Sequence, residues 1–282
     1  MILVLGVPTD RVLSAFSYYL TQKKANFFFA NQDDLGRSLF FCYDKFIYNS
    51  MEVPYKNITG VFNRMVGAYE PTIEEESDHY YVHLELLNAL LDSVLPNVVN
   101  RPTSANSNNS KPYQLSLCKD TELKIPDSFI LANQHCETFN HRVIFKSVGG
   151  IRSIVKELSE DYNKRDITCP VLFQKLIPGP NIRVHIIGDQ VFSLEIRSKT
   201  IDYRYTEEPS KYQLFDLPTK IKKACMLVTK NLGLTIAGID LIRDDNENYY
   251  FLEANTSPAF THFEEYMPSK PISEALMNLL SR

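Results

Sequence analysis

The chain opens on two alternating hydrophobic periods. Ile2 to Leu5 form a short apolar run, Val12, Ala15, Phe16 and Tyr19 recur at helical spacing, and Phe27 to Ala30 form a second run. That order predicts a βαβ opening, with a right-handed crossover if its strands are parallel. Ile58 to Met65 reads as a further strand. The acidic stretch from Glu70 to Asp78 suits the positive end of a helix dipole. It precedes a helix expected to carry Tyr81, Leu84, Leu87, Leu91 and Val94 on one side.

The pattern breaks at NRPTSANSNNSKP, Asn100 to Pro112, where polar turn-forming residues crowd together and place a first boundary. Beyond it, a helix is expected over Tyr113 to Lys119, strands over Ser128 to Ala132 and Val143 to Lys146, and a glycine turn at Gly149-Gly150. Pro170 introduces another strand, Val171 to Phe173, and Gly179-Pro180 breaks the chain before RVHIIGDQVFSLEI. Gly188-Asp189 suits a two-residue hairpin turn. After Pro218 a helix places Ile221, Ala224, Cys225, Val228 and Leu232 on one face, with Gly233 as its stop. No internal repeat is evident.

GIDLIRDDNENYYFLEANTSP, Gly238 to Pro258, reads as an antiparallel hairpin around Asp245 to Asn248. A four-residue connection sets Asp244 against Tyr249, Leu241 against Leu252, Ile239 against Ala254 and Asp240 against Glu253. A connection one residue longer mixes apolar and charged groups on both faces. The preferred register juxtaposes two carboxylates, with Asn255 further along the same face, an arrangement that like-charge repulsion disfavours unless a cation neutralises it. All three supply oxygen, which suits magnesium or manganese rather than zinc. The same face reads equally well as an exposed charged hairpin.

Composition narrows the class. At 282 residues, with 44% hydrophobic and 23% charged side chains, the chain is globular in type. A net charge of -4 disfavours a dedicated nucleic-acid binder. Cys42, Cys118, Cys136, Cys169 and Cys225 are dispersed and odd in number, against a disulfide framework or structural zinc site. MILVLGVPTD lacks a basic leader region, and no apolar stretch approaches the roughly 20 residues of a membrane span. A cytoplasmic protein with no membrane partner is expected.

Other segments offer phosphate chemistry. Lys146 ends the run VIFK before SVGGIRS, where a Gly-Gly loop, Arg152 and the ammonium could meet phosphate oxygens. An ordinary turn with solvated cations fits the same residues. Arg183 is equally readable as a solvent-facing strand residue. His185 alternates with apolar residues and reads as structural, and His262 has no triad partner. No GxSxG or comparable cysteine motif appears.

In order, NSKPYQL, VIFKSVGGIRS, FQKLIPGPNIRVHIIGD, AGIDLI and YYFLEANTSPAF resemble the ATP-grasp superfamily over Asn100 to Arg282. The resemblance is to ligases related to those that add glutamate to a ribosomal protein and those that macrocyclise microviridin-type peptides. It implies an α/β fold of α+β lobes: an N-terminal βαβ lobe over 1–100, a small central lobe over 101–176 and a C-terminal metal-binding lobe over 177–282. It further implies ATP with Mg2+, Mn2+ being an alternative. Lys111 and Lys146 then correspond to the nucleotide-binding lysines, and Ser147, Gly149, Gly150, Arg152 and Ser153 to the loop over the phosphates. Gln174, Lys175, Leu176 and Ile177 correspond to the adenine hinge, with Asn181 and Arg183 nearby, and Asp240, Glu253 and Asn255 to the metal ligands. Arg152, Arg183 and Arg204 are the implied catalytic cations, Arg204 holding a carboxylate or acyl phosphate, although pairing with Asp202 or Glu207 fits it too.

Lys175 stands where the family often has an acid, Asn181 where Asp is frequent, and Ala259 where Gly is frequent. The implied reaction is ATP-dependent ligation through an acyl phosphate, joining a carboxylate donor to an amine or hydroxyl acceptor, with a peptide preferred over a free amino acid. A non-catalytic ATP-binding regulatory or scaffold protein is the alternative. Homo-oligomerisation is left open.

Overall fold

Strand β1, Ile2–Gly6, leads through helix α1, Arg11–Gln22, to β2, Phe27–Asn31. Asp10 caps α1 by accepting from the Val12 and Leu13 amides, satisfying donors that a helix start leaves open. The computed structural model describes residues 1–65, 74–131, 141–149, 155–158, 170–203 and 210–282. Strands β3, β4 and β5, Leu39–Phe41, Lys45–Tyr48 and Met51–Pro54, form an antiparallel sheet of their own. Then come β6, Gly60–Asn63, α2, Glu74–Ser93, β7, Val98–Val99, and the short helix α3, Pro102–Ala105.

These elements belong to the first of two compact units, residues 1–105 with 234–236 and 259–282. Its main sheet runs β2-β1-β6-β7 with parallel pairs throughout, so the expected βαβ opening is present. One core joins Leu3, Leu5, Ala30 and Val61 of that sheet to Leu39, Phe41 and Phe46 of the antiparallel sheet. Each of these leucine, valine and phenylalanine side chains contributes about 1.5–3 kcal/mol on burial. On α2 the buried residues are Tyr80, Leu87, Leu90 and Leu91, whereas Tyr81 and Val94 are exposed. Leu84, Leu87 and Leu91 of the expected face do pack on the core, joined by Tyr80 and Leu90, while Tyr81 and, one residue past the helix end, Val94 stay outside.

The second unit, residues 106–233 with 237–258, begins with α4, Lys111–Ser116. This helix starts earlier than expected: the Ser110 hydroxyl accepts from the Tyr113 amide and Pro112 occupies the first turn, where its missing N–H costs nothing. Strands β8, Ser128–Leu131, β9, Val143–Ser147, β10, Lys156–Glu157, and β11, Val171–Lys175, form a sheet in the order β10-β9-β11-β8. Phe129 and Phe173 stack at 5.2 Å within its core.

Strands β12, Asn181–Ile187, β13, Gln190–Arg197, and β14, Lys211–Leu214, are followed by α5, Thr219–Asn231, β15, Ile236–Arg243, and β16, Tyr249–Asn255. The larger sheet orders them β14-β13-β12-β15-β16. The Gly188-Asp189 turn joins Ile187 to Gln190 with Gly188 at φ +60°. Buried Ile221, Ala224, Cys225 and Val228 mark the packed face of α5 as expected. The chain closes in the first unit with α6, Thr261–Glu264, and α7, Pro271–Leu280.

The β15–β16 register is expected in one half and different in the other. Ile239 faces Ala254 and Asp240 faces Glu253, but Leu241 faces Phe251, with an irregularity between Asp240 and Leu241. The Asp244 amide donates to the Asn248 carbonyl at 3.0 Å, so the connection holds three residues, ending on Glu247 at φ +59°. The Asp244 carboxylate favours this tighter turn by accepting from the Asn246 and Asn248 amides. Leu252 is the extra residue of a bulge that restores the carboxylate pair.

Candidate active site

Lysines from two elements converge on β16. Lys111, 8% exposed at the start of α4, donates to the Gly149 carbonyl at 2.6 Å and lies 3.5 Å from the Glu253 carboxylate. Lys146, 6% exposed near the end of β9, approaches the Leu252 carbonyl at 3.4 Å. Buried ammonium groups are costly unless anions or several acceptors surround them. Two of them beside one strand create a setting for a polyanion.

Facing them is the carboxylate pair. Asp240 and Glu253 stand opposite each other on β15 and β16, and Arg183 Nη1 donates to both Asp240 oxygens at 2.8 Å. The guanidinium lies across Gly238, where a Cβ would sit 2.4 Å from Arg183 Nη2 and 2.6 Å from the Pro258 Cβ. Only glycine leaves that passage open. Burial, the largest single influence, pulls the Arg183 pKa down, but Asp240, Tyr203 and Glu253 together outweigh it and the net direction is up. His185, fully buried and 3.5 Å from Arg183 Nε, is held well below its usual pKa by burial and then by that cation. It is neutral and structural, in line with its expected role.

Asn255 Oδ1 accepts from the Ser257 amide at 3.0 Å. No cluster of three His, Cys, Asp or Glu side chains suited to a metal occurs among the described residues; the candidate set is two carboxylates and an amide. Hard oxygen donors bearing two negative charges fit a magnesium-type ion.

The hinge segment follows β11. Gln174 is fully buried, the Lys175 amide donates to the Asp127 carbonyl at 2.8 Å and the Leu176 amide to the Arg142 carbonyl at 2.9 Å. Ile177 is buried and Asn181 half-buried. Because Lys146 faces Leu172 and Ile144 faces Gln174, the Gln174 side chain shares the Lys146 face of the small sheet. Ser147 Oγ donates to the Gly149 carbonyl at 3.2 Å. Gly150, Arg152, Ser153 and Arg204 lie outside the described residues.

Two buried polar groups were not singled out by sequence. Gln114 binds the backbone of Ala254, and its position one turn after Lys111 in KPYQ was the available signal. Glu195 pairs with Arg243 at 2.7 Å, and no local pattern announces that long-range contact.

Residues 129–277 match the RimK-like ATP-grasp domain. The chain belongs to the RimK-like ATP-grasp family. Human N-acetylaspartylglutamate synthase A is 27% identical over 71% of this chain and 55% of its own length. A D-alanine–D-alanine ligase from Francisella tularensis subsp. novicida is 26% identical over 38% of this chain and 40% of its own. The chain thus spans about half the length of the synthase it matches. Among solved structures, the macrocyclase MdnC bound with precursor peptide MdnA from Microcystis aeruginosa aligns with a TM-score of 0.82 at 19% identity, covering 99% of this chain and 98% of MdnC. A RiPP-associated ATP-grasp ligase from Chryseobacterium gregarium, in complex with ADP and a leader and core peptide, aligns at 0.80 and 18% identity, covering 99% and 96%. The α/β ATP-grasp fold expected from sequence is the fold observed. No helix among the described residues is long and apolar enough to cross a membrane.

Proposed function

We propose that this chain is an ATP-dependent carboxylate–amine ligase that activates a carboxylate as its acyl phosphate and acts on a peptide. The observation that carries this reading is the convergence of Lys111 and Lys146 on the strand that presents Glu253 opposite Asp240. That arrangement can hold the triphosphate of ATP from one side and a divalent cation from the other. Asp240, Glu253 and Asn255 would hold Mg2+, which offsets charge on the transferring phosphoryl group. The hinge backbone beyond Leu176 meets the adenine edge, and Gln174 faces it from the strand.

Lys146 and Lys111 orient the phosphates, and Arg183 supports charge developing on the transferred group. By the family resemblance, Ser147, Gly149, Gly150, Arg152 and Ser153 would cover the phosphates, and Arg204 would hold the donor carboxylate. That carboxylate attacks the γ-phosphorus, ADP leaves, and an amine then attacks the acyl carbon to give the amide and phosphate. A hydroxyl acceptor would give an ester by the same steps. A peptide substrate is favoured because the structural neighbours MdnC and the Chryseobacterium ligase are complexed with peptides.

The test supplies candidate carboxylates, magnesium and hydroxylamine, which intercepts an acyl phosphate as the hydroxamate. ADP and hydroxamate are expected to accumulate together, and Asp240→Asn to suppress both. AMP and pyrophosphate would refute phosphoryl activation. Tight ATP binding without donor-dependent ADP across a broad peptide panel would favour a non-catalytic ATP-binding protein.

A further inference from the structure

Gln114 stands one turn after Lys111 on α4 and is 1% exposed. Its Oε1 accepts from the Ala254 amide at 2.9 Å, and its Nε2 donates to the Ala254 carbonyl at 2.8 Å and to the Ser107 carbonyl at 3.1 Å. Both amide hydrogens and the oxygen are thereby used. Turning the group over would set N–H against N–H and oxygen against oxygen, so its orientation is fixed.

β16 is the outer strand of its sheet. Gln114 gives Ala254 what the peptide group of a further strand would give, one donor and one acceptor side by side. Ala254 lies between Glu253 and Asn255, whose side chains point to the opposite face from its own. Any rotation of the Ala254 peptide units re-aims both. The same helix delivers Lys111 to within 3.5 Å of Glu253.

We propose that Gln114 is the positioning residue of the divalent-cation site, setting the aim of Glu253 and Asn255 and their spacing from Lys111. This rests on the reading of Asp240, Glu253 and Asn255 as the metal-holding set. Gln114 touches neither cation nor nucleotide; it acts through the strand, as groups behind metal ligands do.

The experiment titrates the full chain with Mn2+ in the presence of a non-hydrolysable ATP analogue, reading bound manganese by its electron spin resonance. Gln114→Met removes all three hydrogen bonds at similar volume, and Gln114→Glu keeps only the acceptor for the Ala254 amide. Glu253→Gln reports on the metal set itself. Phe16→Leu, in the buried core of the other unit, is a control for lowered stability alone.

Gln114→Met is expected to weaken Mn2+ binding about 10- to 100-fold, with Gln114→Glu intermediate and Phe16→Leu unchanged. Wild-type Mn2+ affinity in both Gln114 variants, with loss in Glu253→Gln, overturns the proposal and leaves the metal set standing. Wild-type affinity in Glu253→Gln as well overturns both. A loss in Phe16→Leu as large as in Gln114→Met reduces the effect to stability and also overturns it.

Discussion

The Gln174 carboxamide donates from Nε2 to Ser128 Oγ at 2.9 Å, and Ser128 Oγ donates its own proton to the Pro126 carbonyl at 2.6 Å. With that proton committed, Ser128 can only accept from Gln174, which turns Gln174 Oε1 the other way. This oxygen is buried without a hydrogen-bond partner, on the face shared with Lys146. An unmet buried acceptor calls for a donor. The amino group of adenine can supply one, and the carbonyl of guanine cannot.

Gln174→Leu is accordingly expected to raise the KM for ATP about tenfold, the loss of one hydrogen bond of about 1–1.5 kcal/mol, while KM for GTP changes little. Steady-state kinetics with both nucleotides checks this. An ATP-to-GTP preference equal to wild type would remove Gln174 from base selection.

Lys146→Ala is expected to weaken ATP binding about 10- to 100-fold, as loss of a charge-assisted hydrogen bond implies, with secondary structure retained. Lys146 contributes an ammonium beside β16 rather than apolar packing. Titration calorimetry on the folded variant decides. Unchanged affinity would place the triphosphate elsewhere.

Arg183 binds both oxygens of Asp240, so on the proposed reading of Asp240 as a metal ligand a divalent cation would compete with it for one carboxylate. Removing one partner of a buried pair costs about 3–5 kcal/mol, because the other charge is left uncompensated. Arg183→Met should therefore lower the thermal midpoint, and millimolar Mn2+ should recover part of the loss by taking the guanidinium's place on Asp240. The recovery should vanish in Arg183→Met combined with Asp240→Asn. Equal midpoints with and without Mn2+ in Arg183→Met would count against Asp240 as a metal ligand.

Sequence reached the facing of Asp240 and Glu253 because alternation fixes which residues share a face, and apolar matching at Ile239 and Ala254 pins the register. It missed the Leu252 bulge because turn length depends on the Asp244 side chain accepting two amides, a local contest that hydrophobic pattern does not record. The β3–β4–β5 sheet went unread for a related reason. Its strands are 3, 4 and 4 residues long, too short for a period of two to stand out. Helix α4 was placed late because the polar run up to Ser110 resembles a linker, although Ser110 is in fact its cap. On α2 the pattern captures Leu84, Leu87 and Leu91 but not the burial of Tyr80 in place of Tyr81, since the two are equivalent in hydropathy and only packing separates them.

His185 and Glu264 should give the two units opposite responses to pH. The His185 pKa lies well below 6.5 in the folded chain. As pH falls below 6.5 the unfolded chain gains a proton that the native one refuses, so stability of the second unit declines. Glu264, whose carboxylate accepts from the Ser273 amide and hydroxyl near the start of α7, is raised above 4.5 by burial against the lowering effect of those bonds. Its contribution is fully present below 4.5 and is lost as pH rises through the folded value. Hydrogen exchange of β12 and α7 amides across pH 4.5 to 7 separates the two. His185→Gln should flatten the rise in β12 protection with pH, and Glu264→Gln the fall in α7 protection. A β12 profile in His185→Gln that still rises as in wild type would mean that another group governs the acid limb, and the neutral buried imidazole beside Arg183 would lose its support.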